Sequence, residues 1–372
     1  MLAGLHAMSE NTNTKQPPLM GFWPHEAAII ALLFWTLSTA TDQRGTNQPE
    51  IYYGITLTAA VGALAWRCRE EWRALPGKIF LAALLAAWVA LFYFFGNATM
   101  GYVASPSLFN WMLDIYTSPF ADEQHGLLMP FIVLGLFWWK RKELVAQPAG
   151  VWWPALGLVL LGLLLHTVGF VVQQGRLSVL GFFVGLYGLT GLMWGKHWFK
   201  ASWFPVFLFA FCMPVGELAN SLTLPLRLLV AKIVELVGHL GLAPDLIRQG
   251  TQLTDAQRTF AYEVAPACSG IRSLVALLAI TTIYGFVGFQ RRSNRAVMML
   301  AALPLAVLGN VVRLCFTIVV AEVGGQDAGK FVETKFGFIT FAVAIGCVYF
   351  LTRWLEKFET PAPATTASPH ES

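Results

Sequence analysis

The sequence predicts an all-α polytopic membrane protein: about ten transmembrane helices, plus an outer interfacial helix and a short extended loop. Three observations carry this prediction. Hydrophobic residues make up 56% of the 372 and charged residues only 12%, about half the charge that a water-facing protein carries, and the mean hydropathy is +0.59. Apolar runs recur along the chain at lengths suited to a bilayer. Lys and Arg fall unevenly on alternate loops. The same composition speaks against nucleic-acid binding, because the net charge is only +4 and no basic patch is present. The partner it demands is the lipid bilayer.

Residues 1–20 are polar and read as a disordered cytoplasmic tail, with no cleavable signal peptide expected. Ten apolar stretches follow, at 22–41, 51–66, 78–96, 126–139, 151–172, 177–195, 202–217, 273–289, 296–320 and 336–352. The second, fourth and seventh are short and need their flanking residues to cross. Residues 21–358 are therefore expected to form a single transmembrane domain. Residues 359–372, rich in Pro, Ala and Thr, read as a second disordered cytoplasmic tail.

Charge sets the orientation. With the N-terminus inside, the inner segments hold Lys15, Arg67, Arg69, Arg73, Lys78, Lys140, Arg141, Lys142, Lys196, Lys200, Arg291, Arg292, Arg295, Arg353 and Lys357, against 8 Lys or Arg outside. Cytoplasmic loops carry the excess of positive charge. An even number of spans then returns the C-terminus to the cytoplasm of a cell whose inner, or plasma, membrane holds the protein.

One outer segment, 218–267, is long. Residues 222–242 are apolar with Arg227, Lys232, Glu235 and His239 interspersed, the pattern of an amphipathic helix lying in the interface. Residues 250–266 are mixed in polarity and read as a short hairpin or extended loop. They lead into Ala267-Cys268-Ser269-Gly270.

Charges inside spans are costly, about 2.5–3.5 kcal/mol for an arginine at a helix centre, and two arginines invite a functional reading. Arg313 lies in the ninth span, seven residues from its outer end, about 10 Å deep at the helical rise. Arg272 opens the eighth span. Cys268, with Ser269 beside it, lies just before that opening, where the free N–H groups and dipole of the helix N-terminus favour a thiolate. Arg272 is four residues on from the thiol, and Asn310 shares a helical face with Arg313. Topology thus sets a thiol and a guanidinium at one depth on adjacent helices, as a nucleophile with a cationic partner requires. The bland alternatives are packing roles for Cys212, Cys315 and Cys347, a loop thiol at Cys68, snorkelling by Arg272, and an ion pair of Arg313 with Glu322 or Asp327.

The run Ala267-Cys268-Ser269-Gly270-Ile271-Arg272, followed by Pro304, Asn310 and Arg313 in the next span, resembles the exosortase/archaeosortase family, over roughly residues 80–352. The resemblance implies a multispan cysteine peptidase or transpeptidase of the cell envelope, with no cofactor and no metal. Its implied partners are exported proteins whose C-terminal tripartite sorting signal combines a Pro-containing motif, an apolar helix and a basic tail. It also implies a Cys, Arg and His triad. Cys268 and Arg313 match. Where the family histidine is expected, this sequence has Val332 and Glu333. Three accounts follow: Glu333 is the base; His166, His239 or His125 substitutes; or the protein binds sorting signals without cleaving them. The rival class is a non-enzymatic membrane protein, such as a transporter or a component of surface-polysaccharide assembly. A membrane oxidoreductase is disfavoured, because paired haem histidines and clustered cysteines are lacking.

Overall fold

The computed structural model of the chain describes residues 49–96, 106–118, 123–215, 217–257, 260–264, 271–335 and 338–358. The first predicted span and both predicted tails lie outside these residues. The chain divides into two units between Ala60 and Val61. In the first, the described residues are the opening of helix α1 (Pro49–Arg67). Everything that follows concerns the second.

The remaining helices are α2 (Arg69–Ala74), α3 (Lys78–Phe95), α4 (Leu108–Thr117), α5 (Met129–Val145), α6 (Pro154–Val171), α7 (Gly175–Phe207), α8 (Glu217–Val237), α9 (Ile271–Gly288), α10 (Arg292–Lys335) and α11 (Phe338–Glu356). Between α8 and α9, three short strands, β1 (Leu246–Gln249), β2 (Gln252–Asp255) and β3 (Ala261–Glu263), pair antiparallel in the order β1-β2-β3. Among the described residues, four helical stretches are long and apolar enough to cross a membrane: Lys78–Phe95, Pro154–Val171, Gly175–Cys212 and Arg292–Val332. Leu274–Gly288 is apolar but shorter.

Two of these stretches are broken by glycine. The third takes in the predicted span 177–195 and most of 202–217, and is divided at Gly195 (φ 91°, ψ 176°). That conformation is essentially confined to glycine, and a Cβ there would also lie 2.6 Å from the Gly150 carbonyl oxygen. Gly325 (φ 77°, ψ −178°) breaks α10 in the same way, beyond the predicted span 296–320.

Packing follows the apolar faces. Glycines let α6 and α7 approach closely: a Cβ on Gly162 would lie 2.7 Å from the Gly181 carbonyl oxygen, and one on Gly185 would strike the Trp88 ring at 2.0 Å. Trp88 reaches in from α3, and its indole N–H donates to the Phe182 carbonyl at 3.0 Å. Val133 and Leu136 of α5 pack with Phe204 and Leu208 and with Ile283 and Phe286 of α9; the Phe204 and Phe286 rings stack at 4.4 Å. The 3-10 turn Gln124–Leu127, just before α5, also touches α9. Helices α5 and α9 therefore run the same way, and this turn lies toward the Ile271 end of α9.

Helices α9 and α10 form an antiparallel hairpin around Phe289, Gln290 and Arg291. The Phe289 N–H donates to the Gly285 carbonyl at 3.2 Å, and the Arg295 guanidinium donates to the Phe289 carbonyl at 2.6 Å. A cation is thereby set at the negative end of the α9 dipole. Leu277, Met298, Ala302 and Ala306 then share a core with Ala344, Val348 and Leu355 of α11.

The sheet sits against α8 and α10. Val230, Ala231 and Val234 of α8, Leu246, Leu253 and Tyr262 of the strands, and Val311, Leu314, Ile318 and Ala321 of α10 form one core. The other face of α8 exposes Leu224, Leu228, Leu229 and Leu236. A helix forms where one was expected over 222–242, but both its core face and its exposed face are rich in apolar residues, and Arg227 is buried. The strands begin at Leu246, four residues before the predicted hairpin.

Candidate active site

Helix α10 changes character along one face. Met298, Ala302 and Ala306 pack toward α9 and α11. One turn further on, the same face carries Asn310, Arg313 and Thr317, which are 3%, 8% and 1% exposed. The spacing of three and four residues aligns these side chains. A neighbouring face carries Val311, Leu314 and Ile318 into the core shared with α8 and the sheet. Arg313 is thus buried at the junction of α9, α10 and the sheet-bearing segment.

The hairpin register fixes its level. A Cβ on Gly285 would lie 3.3 Å from the Met298 Cβ, so these positions face each other. Fifteen residues along α10 from Met298 is Arg313, and fifteen residues back along α9 from Gly285 is position 270, just before the helix opens at Ile271. Arg313 is level with the start of α9. Cys268 and Ser269 lie outside the described residues, as do the side chains of Arg272 and Glu333, whose backbones belong to the first turn of α9 and the last turn of α10. The described side chains that line up are Asn310 and Arg313, joined by Thr317. Sequence reading missed Thr317, although its spacing from Arg313 carried the signal. Glu322 and Asp327 are both exposed, and Glu322 is nine residues farther along the helix, about 14 Å along the axis. No ion pair links either of them to Arg313 among the described residues.

The sheet is closed on both edges by side chains. At β1, the His239 Nε2 lies 2.8 Å from the Leu246 carbonyl oxygen. At β3, the Gln326 carboxamide grips the main chain of Ala261: its Oε1 accepts from the Ala261 N–H at 2.9 Å, and its Nε2 donates to the Ala261 carbonyl at 3.3 Å. The Tyr262 hydroxyl donates to the Gln326 carbonyl at 3.0 Å. The segment of α10 after the Gly325 break is thereby tied to the strand that precedes Cys268 in sequence. The sheet is tied to α8 by the Arg248–Glu235 ion pair at 2.7 Å. Nothing in the sequence marked Gln326, because a glutamine reaching a strand edge has no local signature.

The three histidines weighed as substitutes differ in setting. His166 is buried among α3, α6 and α7, with Nδ1 3.1 Å from the Ser178 Oγ and its ring 4.5 Å from Phe92. His239 is engaged at the β1 edge. His125, 8% exposed, lies on the turn that packs toward the Ile271 end of α9. Among the other cysteines, Cys212 is 1% exposed and Cys315 packs against the α8–sheet core. Burial and the nearby Glu71 push the Cys68 thiol above its ordinary range, which keeps it protonated at neutral pH.

With this geometry in place, comparison with known proteins identifies the class. The chain belongs to the transmembrane exosortase (EpsH) family, whose family model matches residues 120–350. No curated protein and no solved structure gave a match. Family membership implies a transmembrane sorting enzyme, and the several long apolar helices agree with a membrane protein.

Proposed function

We propose that this protein is a membrane cysteine peptidase or transpeptidase that processes the C-terminal sorting signals of exported proteins. One observation carries the reading. The buried Asn310, Arg313 and Thr317 line sits level with the start of α9, the helix that follows Cys268 directly in sequence. Family membership adds the reaction class.

In the proposed reaction the Cys268 thiolate attacks the scissile carbonyl carbon. A C–S bond forms, and the carbonyl oxygen becomes an oxyanion held by Arg313, with Asn310 as a further donor. Collapse expels the amine, which takes a proton from the conjugate acid of the base. Water then releases the acid, or an amine or hydroxyl acceptor takes the acyl group, and the thiol is regenerated. Arg272 and Ser269 flank the nucleophile. Two groups compete as base. Glu333 stands where the family histidine is expected, on the α10 segment tethered through Gln326. His125 is favoured by its turn packing toward the same end of α9.

In this reading about ten spans form one transmembrane domain over 21–358, both termini are cytoplasmic, and the site opens near the outer face of the plasma membrane. The exposed leucines of α8 rest in the outer interface. The test is a secreted reporter fused to a Pro-containing motif, apolar helix and Arg-rich tail taken from the same proteome. Cys268→Ala should abolish its processing while leaving membrane levels of the enzyme intact. Undiminished processing would remove Cys268 from the reaction and favour a protein that only binds or transports.

A further inference from the structure

Thr317 of α10 carries a hydroxyl that the protein itself leaves unused. The residue is 1% exposed, and among the described residues its Oγ1 has no hydrogen-bond partner. Helical threonines commonly return their proton to the turn below. Thr117, Thr167 and Thr352 do so here, donating to the carbonyls of Leu113, Leu163 and Val348 at 2.8, 2.9 and 2.8 Å. Thr317 does not use the Arg313 carbonyl in this way. A buried hydroxyl without a partner is destabilising, so one that is retained calls for an explanation. Its place on the helix supplies one. Leu314 and Ile318 turn into the core with α8 and the sheet, whereas Thr317 keeps to the Arg313 face, four residues and about 6 Å farther from the turn at Phe289. Thr282 of α9 is likewise 0% exposed and without a partner among the described residues. It lies well inside the hairpin, about 16 Å along α9 from Ile271, and so far from the level of Arg313.

We infer that the Thr317 hydroxyl binds the substrate, donating to a main-chain carbonyl of the sorting signal two residues before the scissile one. This rests on the sorting-enzyme reading and the orientation given with it. Whatever its side chains, a peptide brings acceptors into a buried site as main-chain carbonyls. In an extended peptide the carbonyls on one side recur every second residue, about 6.6 Å apart at the strand rise. That is close to the axial step from Arg313 to Thr317, about 6 Å. With the scissile carbonyl at Arg313, the carbonyl two residues away comes to the level of Thr317. In the proposed orientation Thr317 lies on the outer side of Arg313, where the exported part of the substrate is held. The contact therefore falls on the acyl side and persists in the thioester. Arg313 meets the charge that develops, and Thr317 fixes the register in which the signal is presented to it.

The test uses the full-length enzyme in detergent with the reporter described above. Thr317→Val keeps the shape of the side chain and removes the hydroxyl. It should raise KM for the reporter about tenfold and change kcat by less than about threefold, the pattern of lost binding rather than of a displaced Arg313. Thr317→Ser, which retains a hydroxyl, should recover most of the loss. Without substrate, Thr317→Val should unfold at the same or a higher temperature, because it removes a buried polar group that has no partner. A lower unfolding temperature would show that the free protein uses the hydroxyl, and would overturn the inference. So would an unchanged KM in Thr317→Val, a fall confined to kcat, or a serine variant as poor as the valine one. Thr282→Val is the control for packing and should leave KM unchanged; an equal rise there would also overturn the inference. Cys268→Ala separates the two readings. Normal processing by that variant defeats the peptidase reading, whereas an inactive Cys268→Ala beside a normal Thr317→Val defeats only the threonine contact.

Discussion

Arg313 carries a permanent charge in a span where a leucine would cost nothing. Burial at 8% exposure, with Asn310 and Thr317 aligned beside it, is the arrangement expected of a group that meets developing negative charge. The same scale decides between the two bases. His125→Gln and Glu333→Gln should be assayed for reporter processing from pH 5 to pH 9. Loss of the true base should slow processing about a hundredfold or more. A neutral imidazole accepts the proton, so a histidine base gives a rate that rises with pH as the imidazolium loses its proton, and His125→Gln should erase that rise. If Glu333 is the base, His125→Gln leaves both the rate and its pH dependence unchanged and Glu333→Gln slows processing across the whole range. The identity of Arg313 and Asn310 as a pair was legible in the sequence, since polar residues three apart in an apolar span can share only one face. Thr317 was overlooked although it shares that spacing, and Gln326 was not legible at all. A threonine is common in spans, and the partner of Gln326 lies 65 residues away in the chain.

Among the elements, the broken helices are the informative ones. Hydropathy separated 177–195 from 202–217, and the backbone does break between them, at Gly195. Hydropathy reports how apolar a run is and not the backbone conformation, so the break at Gly325 had to be seen. Gly195 and Gly325 share a conformation that costs other residues about 1–3 kcal/mol, but their surroundings differ. A Cβ at Gly195 meets the Gly150 carbonyl oxygen at 2.6 Å, whereas one at Gly325 meets nothing within 4 Å. Gly195→Ala should therefore lower the thermal unfolding midpoint in detergent more than Gly325→Ala does. An equal drop would mean that Gly150 moves aside freely. The sheet shows another limit of sequence reading. An extended segment was legible from mixed polarity after Pro244, but the start at Leu246 depends on His239 and on the core with α10, which are tertiary contacts.

For the whole molecule, composition alone identified a membrane protein, and the family match over residues 120–350 agrees. Four stretches meet the length and hydropathy of a span among the described residues, whereas the sequence suggested about ten: 22–41 lies outside those residues, Gly175–Cys212 takes in one predicted span and most of another, and the helix over 126–139 soon runs into the charged Lys140, Arg141, Lys142 and Glu143. Orientation is open to a simple measurement. Alkaline phosphatase joined after residue 250 should be active, and a fluorescent protein joined after residue 358 should light up, if the sheet is outside and the C-terminus inside. The reverse pattern would invert the charge-based topology. The turn at Phe289 has a further consequence. With Arg295 locking it to the end of α9, it works as the zero mark of a ruler along which both helices are counted outward. Deleting a single residue of α10 between this mark and Asn310 swings everything beyond it by about 100°, carrying the guanidinium off its line. The spacing of this hairpin is therefore as much a part of the proposed chemistry as the identity of its side chains.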